Sequence, residues 1–532
     1  MDTKALRQKI LDLAIRGKLV PQDSNDEPAS VLLERIRQQK QQMVKEGKLK
    51  PKDIKNDSVI FVGEDNLHYE KFSDGSVKCI EDEIPFELPD GWAWARLSSI
   101  ADMALGKMLD VAKNKGSLRP YLRNINVRWG TFDLSDTLEM RFEDNELERY
   151  SICYGDLVMC EGGEPGRCAV WKSEEVVFYQ KALHRVRAIE ILPEYLYYVI
   201  RRFIISNQYE KYYTGTTIKH LTGQSLRMLP IPLPPLNEQK LIVEHLQRII
   251  EEIDKIEMRK TEAFSLVSLA KSKILDLAIR GKLVPQDSND EPASVLLERI
   301  RAEKEELIRQ GKIKRDKKES VIFRGEDNSY YEKIGSDVIC IDAEIPFEIP
   351  DTWKWMRLEN CCIKEIRRGK SPKYVDESGT LVFAQKCNTK YGGIDMGLAL
   401  FLDESTLGRY PDDEYMQNGD VVINSTGTGT LGRVGLFRVT DNHLGLPIVP
   451  DSHVTVIRAA HGIQSVYVYG FMKANQSKLE KKGEGSTNQK ELKPPTLKEM
   501  LIPIPPYFEQ ERIVAAITAA FSTISAIEKS LN

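Results

Sequence analysis

The sequence has no apolar run long enough to cross a bilayer and no signal-like amino terminus, since Met1-Asp2-Thr3-Lys4 opens directly into a helical pattern. A cytoplasmic protein with no membrane partner is the expectation. The eight cysteines (Cys79, Cys153, Cys160, Cys168, Cys340, Cys361, Cys362, Cys387) form no CxxC pair, and most lie in alternating apolar contexts that suit small buried hydrophobes. Reduced thiols without a structural metal are therefore expected. The seven histidines lack metal-ligand spacing, no Walker A string is present, and the carboxylates scatter as solvated charge does. Nor does one sign of charge dominate: 76 Lys and Arg face 80 Asp and Glu, for a net charge of −4. That sum neither requires nor excludes nucleic acid, because a local basic surface binds phosphate inside an acidic chain.

Two strings approach known chemistry and fall short. Gly427, Gly429 and Gly432 fit GxGxxG, but RVGLFRV follows and reads as a strand, whereas a dinucleotide site needs a helix amino terminus there. The stretch reads as a turn between strands, as does Gly162-Gly163 with Gly166. Ile504-Pro505-Pro506-Tyr507 resembles the Asn-Pro-Pro-Tyr of adenine methyltransferases without the amide that grips the target amino group. Its counterpart, Leu233-Pro234-Pro235-Leu236, lacks the tyrosine as well. Both read as rigid turns that aim helices.

What the chain does have is a long repeat. Residues 9–37, KILDLAIRGKLVPQDSNDEPASVLLERIR, return unchanged at 273–301. Matching continues with SVIF and GEDN (58–66, 320–328), EIPFELPDGWAWARL (83–97) against EIPFEIPDTWKWMRL (344–358), YGDLVM (154–159) against NGDVVI (418–423), and LPIPLPPLNEQ (229–239) against LIPIPPYFEQ (501–510). The unit is half the chain, and 532 residues allow roughly three or four domains at about 150 residues each.

Helical periodicity locates the connectors. From Ile242 apolar residues follow at Leu246, Ile249, Ile253, Ile256, Ala263, Val267, Ala270, Ile274 and Leu277, a heptad seam interrupted at Lys260. It predicts one long helix, capped by Asn237 or Glu238 and ended by Gly281, with a second helix over 293–310. Ile513, Ile517, Ala520, Ile524 and Ile527 repeat the first half of this seam, and Leu6, Ile10 and Leu13 the second half. The other connector is thus cut in two, and its pieces must lie antiparallel to the central helix. Strands are predicted over 121–127, 156–160, 168–171, 176–187, 381–387, 420–424, 434–439 and 453–458, and helices over 192–212 and 466–482. The fold class is α+β: two mixed α/β domains joined by two antiparallel coiled-coil connectors, as a pseudo-twofold, circularly permuted repeat. Its parts are 1–57 (half of the split connector), 58–235 (first domain with an amino-terminal arm), 236–319 (central connector), 320–506 (second domain with its arm) and 507–532 (the completing helix).

Side chains that differ between matched places are the candidates for recognition. YLRNINVRWGTFDL aligned with VFAQKCNTKYGGIDM sets Arg123, Asn124, Asn126, Arg128 and Trp129 opposite Gln385, Lys386, Asn388, Lys390 and Tyr391. Arg, Lys, Asn and Gln can make bidentate contacts to base edges, though any one of them can equally be a solvated strand end. A second place pairs Thr217, Lys219 and His220 with Thr487, Gln489 and Lys490, small and basic groups suited to phosphate. A third holds Gly106, Lys107 and Lys113 in one half, and Arg367, Arg368, Gly369, Lys370 and Lys373 in the other, where Arg367 and Arg368 can also be salt-bridge partners.

Over essentially its full length, this combination of two variable domains, a Pro-Pro turn before Asn237-Glu238-Gln239 and Phe508-Glu509-Gln510, and a duplicated ILDLAIRGKLVPQ connector resembles the specificity subunit of type I restriction-modification enzymes. The resemblance implies that each variable domain is a target recognition domain reading half of a split, asymmetric site on double-stranded DNA. It implies connectors that space the half-sites and bind two modification subunits, and restriction subunits in the same complex. S-adenosylmethionine, ATP and Mg would belong to those partners, and this chain would bind no cofactor and supply no catalytic residue. Two other readings stay open from the residues alone: a coiled-coil adaptor without DNA readout, and a stand-alone DNA methyltransferase. The segment GEDNLHYEKF and its counterpart GEDNSYYEKI suggest a structural role, or docking on a partner.

Overall fold

The identical segments 9–37 and 273–301 fold alike, each as helix end, loop and second helix. The computed structural model describes residues 2–55, 57–110, 112–315, 319–390, 393–427, 429–484 and 490–531. Thr3–Ile15 precedes Ala29–Lys45, and the long helix Leu236–Ile279 precedes Ala293–Arg309. Gly17 and Gly281 stop the first helix of each pair at φ 64° and 66°. Besides the left-handed backbone, a Cβ there would stand 2.4 and 2.5 Å from Pro89 and Pro350, so only glycine fits.

The chain divides into two compact units, residues 1–259 and 260–532, and the boundary falls within the long helix. In the first unit, Thr3–Ile15 runs antiparallel to the start of that helix: Arg7 pairs with Asp254 at 2.5 Å and Glu257 at 3.0 Å, while Gln22 reaches back to Glu238. In the second, the end of the long helix lies antiparallel to Tyr507–Leu531, with Lys271 2.7 Å from Glu528 and Gln286 bonded to Glu509. The split connector expected from the seam is therefore built the same way in each unit. Its middle is thinner than the heptads suggest, since Ile256 is 40% exposed, Ala270 is exposed, and Ala263 and Val267 are only half-buried. Asn237 and Glu238 do not turn their side chains to capping; they bond Asp26 and Trp92.

Each unit sandwiches two four-stranded sheets. In the first, Cys168–Val170, Leu157–Cys160, Leu183–Ala188 and Ala101–Leu105 form one sheet in that order, and Leu138–Phe142, Ser117–Leu122, Val177–Tyr179 and Ser151–Ile152 the other. Buried residues of both, among them Leu122, Val158, Tyr179 and Leu183, make the core between them. The second unit repeats this with Val434–Leu436, Val421–Asn424, Val454–Ile457 and Arg367–Arg368, and with Tyr374–Val375, Leu400–Leu402, Leu381–Phe383 and Ile448–Pro450. Helices Pro193–Ile205 and Ser465–Ala474 close one side, each fixed by a buried tyrosine hydroxyl: Tyr195 donates to Pro232 O and Tyr467 to Pro503 O. The first stops at Ser206, short of its predicted end, while the second breaks at Asn475 and resumes as Gln476–Lys481, close to its predicted end.

The arm segments form three-stranded sheets, Ser58–Val62, His68–Phe72 and Val77–Cys79 in one unit and Ser320–Arg324, Tyr330–Ile334 and Asp337–Cys340 in the other. Each is anchored by an ion pair: Arg96 to Glu70 at 2.7 Å, both 1% exposed, and Arg357 to Glu332 at 2.5 Å. Burial alone would lower the Arg96 pKa, but Glu70 and Glu83 outweigh it and hold the guanidinium charged.

Five cysteines are buried, Cys153 is half-buried, and Cys79 and Cys340 are exposed. Burial pushes the Cys160 and Cys387 thiols up to about 11, which keeps them protonated. Tyr507–Leu531 is, by length and composition alone, long and apolar enough to cross a membrane. Thr518, Ser522 and Thr523 interrupt its apolar residues without adding charge. Its buried Ile513, Ile517 and Ile524 are the seam that meets the second unit.

Candidate nucleic-acid interface

In both units a strand of the outer sheet runs into one turn of 3-10 helix at the same edge. Ser117–Leu122 leads into Asn124–Asn126, and Leu381–Phe383 into Gln385–Cys387, where strands through 127 and 387 were predicted. Parallel pairing fixes the equivalence, because Gln180 N donates to Leu122 O and Asp451 N to Phe383 O, each at 3.1 Å. Asn124 is thus the counterpart of Gln385, Asn126 of Cys387 and Val127 of Asn388. The sequence alignment, which set Arg123 opposite Gln385 and Asn126 opposite Asn388, was one residue out of step.

Two of the candidates are sequestered. Asn126 is 2% exposed; its oxygen accepts from Arg123 N and its amide donates to Asp133 O and Asp136 O. Asn388 is 1% exposed and donates to Asn424 Oδ1 and Arg433 O. Both shape the turn, so base contact by these two side chains is withdrawn: a buried amide already bonded to the backbone has no donor left to offer.

The glycine turns complete the frame. Gly162 to Gly166 joins Leu157–Cys160 to Cys168–Val170, and Gly427 to Gly432 joins Val421–Asn424 to Val434–Leu436, as turns between strands. The residue after each, Arg167 or Arg433, donates to a carbonyl of the 3-10 loop: Asn124 O at 2.9 Å and Asn388 O at 2.7 Å. Sequence reasoning passed over this pair, although Gly-Arg occurs before the same strand in both halves. Asn124 donates to Gly162 O, and Asn424 donates to Gln385 O, so in both units the 3-10 turn is tied to the strand or turn beside it.

The loop after each helix docks on that glycine turn. His220 bridges to both Thr214 and Gly162, and Glu491 to both Glu484 and Thr426, which makes Lys219 the counterpart of Lys490. Thr217, Lys219 and His220 are exposed, with Lys219 held by Glu210 and Lys490 lining an open cleft of about 370 Å³ beside Gly427, Gly429 and Arg433. Tyr391, Thr487 and Gln489 lie outside the described residues. Lys386 and Lys390 are exposed, and Trp129 donates to Glu164 at 2.7 Å.

The third place is mostly committed to the fold. Lys107, 6% exposed, bonds Arg141 O and Glu146, and its counterpart Lys370 bonds Arg409 O. Gly106 and Gly369 precede them where a Cβ would come within 2.2 Å of a carbonyl oxygen. Arg367 pairs with Asp413 at 3.0 Å and buried Glu414 at 2.6 Å, and Arg368 with Glu491 at 2.8 Å. By contrast Arg123 pairs with exposed Asp136 and Arg128 with Asp133 at 3.5 Å, half-solvated contacts worth about 0–1 kcal/mol that a phosphate can replace.

A family description, the type I restriction modification DNA specificity domain, matches residues 89–263 and 350–532. The specificity subunit of the type I restriction enzyme EcoAI of Escherichia coli is 29% identical over 413 residues, covering 67% of this chain and 62% of its own length, less than two thirds. The EcoEI specificity subunit, also from Escherichia coli, is 26% identical over 606 residues, covering 99% of this chain and 90% of its own. A solved chain from work on complex assembly and conformational transition of the type I R-M system has a TM-score of 0.53 at 19% identity, over 84% of this chain and 94% of that one, a likeness of fold.

Proposed function

The chain belongs to the family of type I restriction-modification DNA specificity proteins, and on that premise we propose that its two units each read one half of a bipartite, asymmetric site on double-stranded DNA. It is a recognition subunit and not the catalyst. The observation that carries the reading is one loop frame, built twice, that presents different side chains: Asn124, Arg128, Trp129 and Lys219 against Gln385, Lys386, Lys390 and Lys490. Such groups supply both phosphate neutralisation and base-edge contacts, and different sets on like scaffolds read different sequences.

In this reading 58–235 and 320–506 are the recognition domains, and 1–57, 236–319 and 507–532 are the spacer. A helix of 44 residues at about 1.5 Å each is about 66 Å long, stiff enough to hold half-sites about one or two duplex turns of roughly 34 Å apart. The equal connectors dock two modification subunits, which hold S-adenosylmethionine, and restriction subunits add ATP and Mg chemistry, all in the cytoplasm. Methylome sequencing of cells carrying this chain with its methyltransferase tests the reading. Methylation confined to one bipartite motif is expected, and a continuous motif or none at all contradicts it.

A further inference from the structure

The arm sheets carry a surface that DNA reading leaves unused. In the first unit Val59, Lys71 and Val77 stand opposite one another in one row, and Phe61, Tyr69 and Cys79 in the next, on a single face. The second unit places Val321, Lys333 and Val338, then Phe323, Tyr331 and Cys340, in the same two rows. All six positions are identical. On the opposite face, Val62, His68, Phe72 and Lys78 have become Arg324, Tyr330, Ile334 and Ile339. That face keeps Ser58, Ile60 and Glu70 as Ser320, Ile322 and Glu332 and differs at these four positions, whereas none of the six positions on the solvent face differs.

The spared face is apolar and built. Val59, Phe61 and Val77 are 48%, 40% and 53% exposed, and Phe323 and Val338 are 40% and 54%. Phe61 stacks on Tyr69 and Phe323 on Tyr331, each with ring centroids 5.9 Å apart. The tyrosine hydroxyls donate to Asp65 at 2.7 Å and Asp327 at 2.9 Å, which fixes the rings. Among the described residues, no carboxylate pairs with Lys71 or Lys333. An exposed, contiguous aromatic and aliphatic patch of fixed geometry has the composition of a protein interface, and the lysine within it calls for an opposite charge on whatever covers it.

We propose that these two faces are docking platforms for two copies of one protein partner, one per half, whose surface is apolar around a carboxylate that takes Lys71 or Lys333. The proposal rests on the reading of the chain as a scaffold for two equal modification subunits, and it moves part of their footprint from the coiled coil to the arms. Two copies of an identical face in otherwise divergent domains fit one partner met twice. A partner met once would leave the second copy free to change.

Cys79 and Cys340 are native probes, being exposed within the platforms while the other described thiols are buried or half-buried. The full chain is treated with N-ethylmaleimide alone and in complex with its methyltransferase subunit, and alkylation at each cysteine is followed by mass spectrometry. Protection of both by tenfold or more in the complex is expected. Lys71→Glu should cut the bound methyltransferase from two copies to one, Lys71→Glu with Lys333→Glu to none, and Lys71→Arg should keep two. Free-rate alkylation in a complex that holds two methyltransferase copies overturns the platforms and leaves the scaffold reading standing. No methyltransferase bound by the unaltered chain overturns both. Protection that grows with the concentration of the chain alone makes a second copy of this chain the occupant and also overturns the proposal.

Discussion

The indole Nε1 of Trp92 donates a 2.8 Å hydrogen bond to the carboxylate of Glu238, across 146 residues of chain. Trp353 does the same to Glu509 at 2.9 Å, so each recognition domain is pinned to the helix that follows it by one buried bond. Gln22 and Gln286 reach the same carboxylates from the duplicated segment. The contact joins loop, domain and helix at one point.

Burial raises the Glu238 and Glu509 carboxyls above the usual carboxylate range, and the indole bond only partly opposes it. A carboxyl with a higher pKa folded than unfolded favours folding when protonated, and that contribution is lost as pH rises through the folded value. Glu238→Gln keeps an acceptor for Trp92 without the charge. Its thermal unfolding midpoint should therefore exceed that of the unaltered chain by a margin that grows as pH rises above the ordinary carboxylate range and levels off once the buried carboxyl has ionised. A variant less stable throughout that rise would show that the ionised form is the one the fold needs.

Removing Glu70 leaves Arg96, 1% exposed, with Glu83 at 2.7 Å as its remaining carboxylate. Glu70→Ala should therefore cost less than the about 3–5 kcal/mol of a fully unpaired buried charge, and release the arm sheet first. Limited proteolysis checks this: cleavage between 58 and 79 should accelerate well before the sandwich is cut, and unchanged cleavage would mean the arm is held by other contacts.

Much of this architecture was legible in the sequence. The long helix, the second helix at 293 and the inner strands follow from periodicity and exact repetition, signals that survive because packing demands them at every turn. The recognition edge was less legible. Arg123 to Asn126 alternates like a strand, but the Asn126 side chain captures the Arg123 amide and winds a 3-10 turn, a local choice that no pattern announces. That turn also hid the true pairing of Asn124 with Gln385. The arm sheets were seen only as matching strings, because their turns at Asn66 and Asn328 use a left-handed residue other than glycine.

Point substitutions at the exposed candidates should act on one half-site each. Arg128→Gln should relax the first unit's preference and Lys386→Gln the second's, each by about 1–3 kcal/mol or roughly tenfold to a hundredfold in occupancy of the altered motif. Methylated-motif counts from each variant strain check this, and a change in both half-sites from either substitution would mean the units are not independent readers.

Length in the connector should set the spacer and nothing else. A seven-residue insertion beside Lys260, one heptad within the long helix, adds about 10 Å. The methylated motif should keep both half-sites and gain about three base pairs between them, at about 3.4 Å per base pair. A spacer of unchanged length would set the ruler elsewhere in the chain.

The most direct measurement is the methylome of a chain in which residues 58–235 are replaced by the matching segment of a relative that reads another sequence. Two independent readers on one scaffold predict a motif with one half exchanged, the other half retained and the spacer unchanged. A motif altered in both halves, or in neither, contradicts the account.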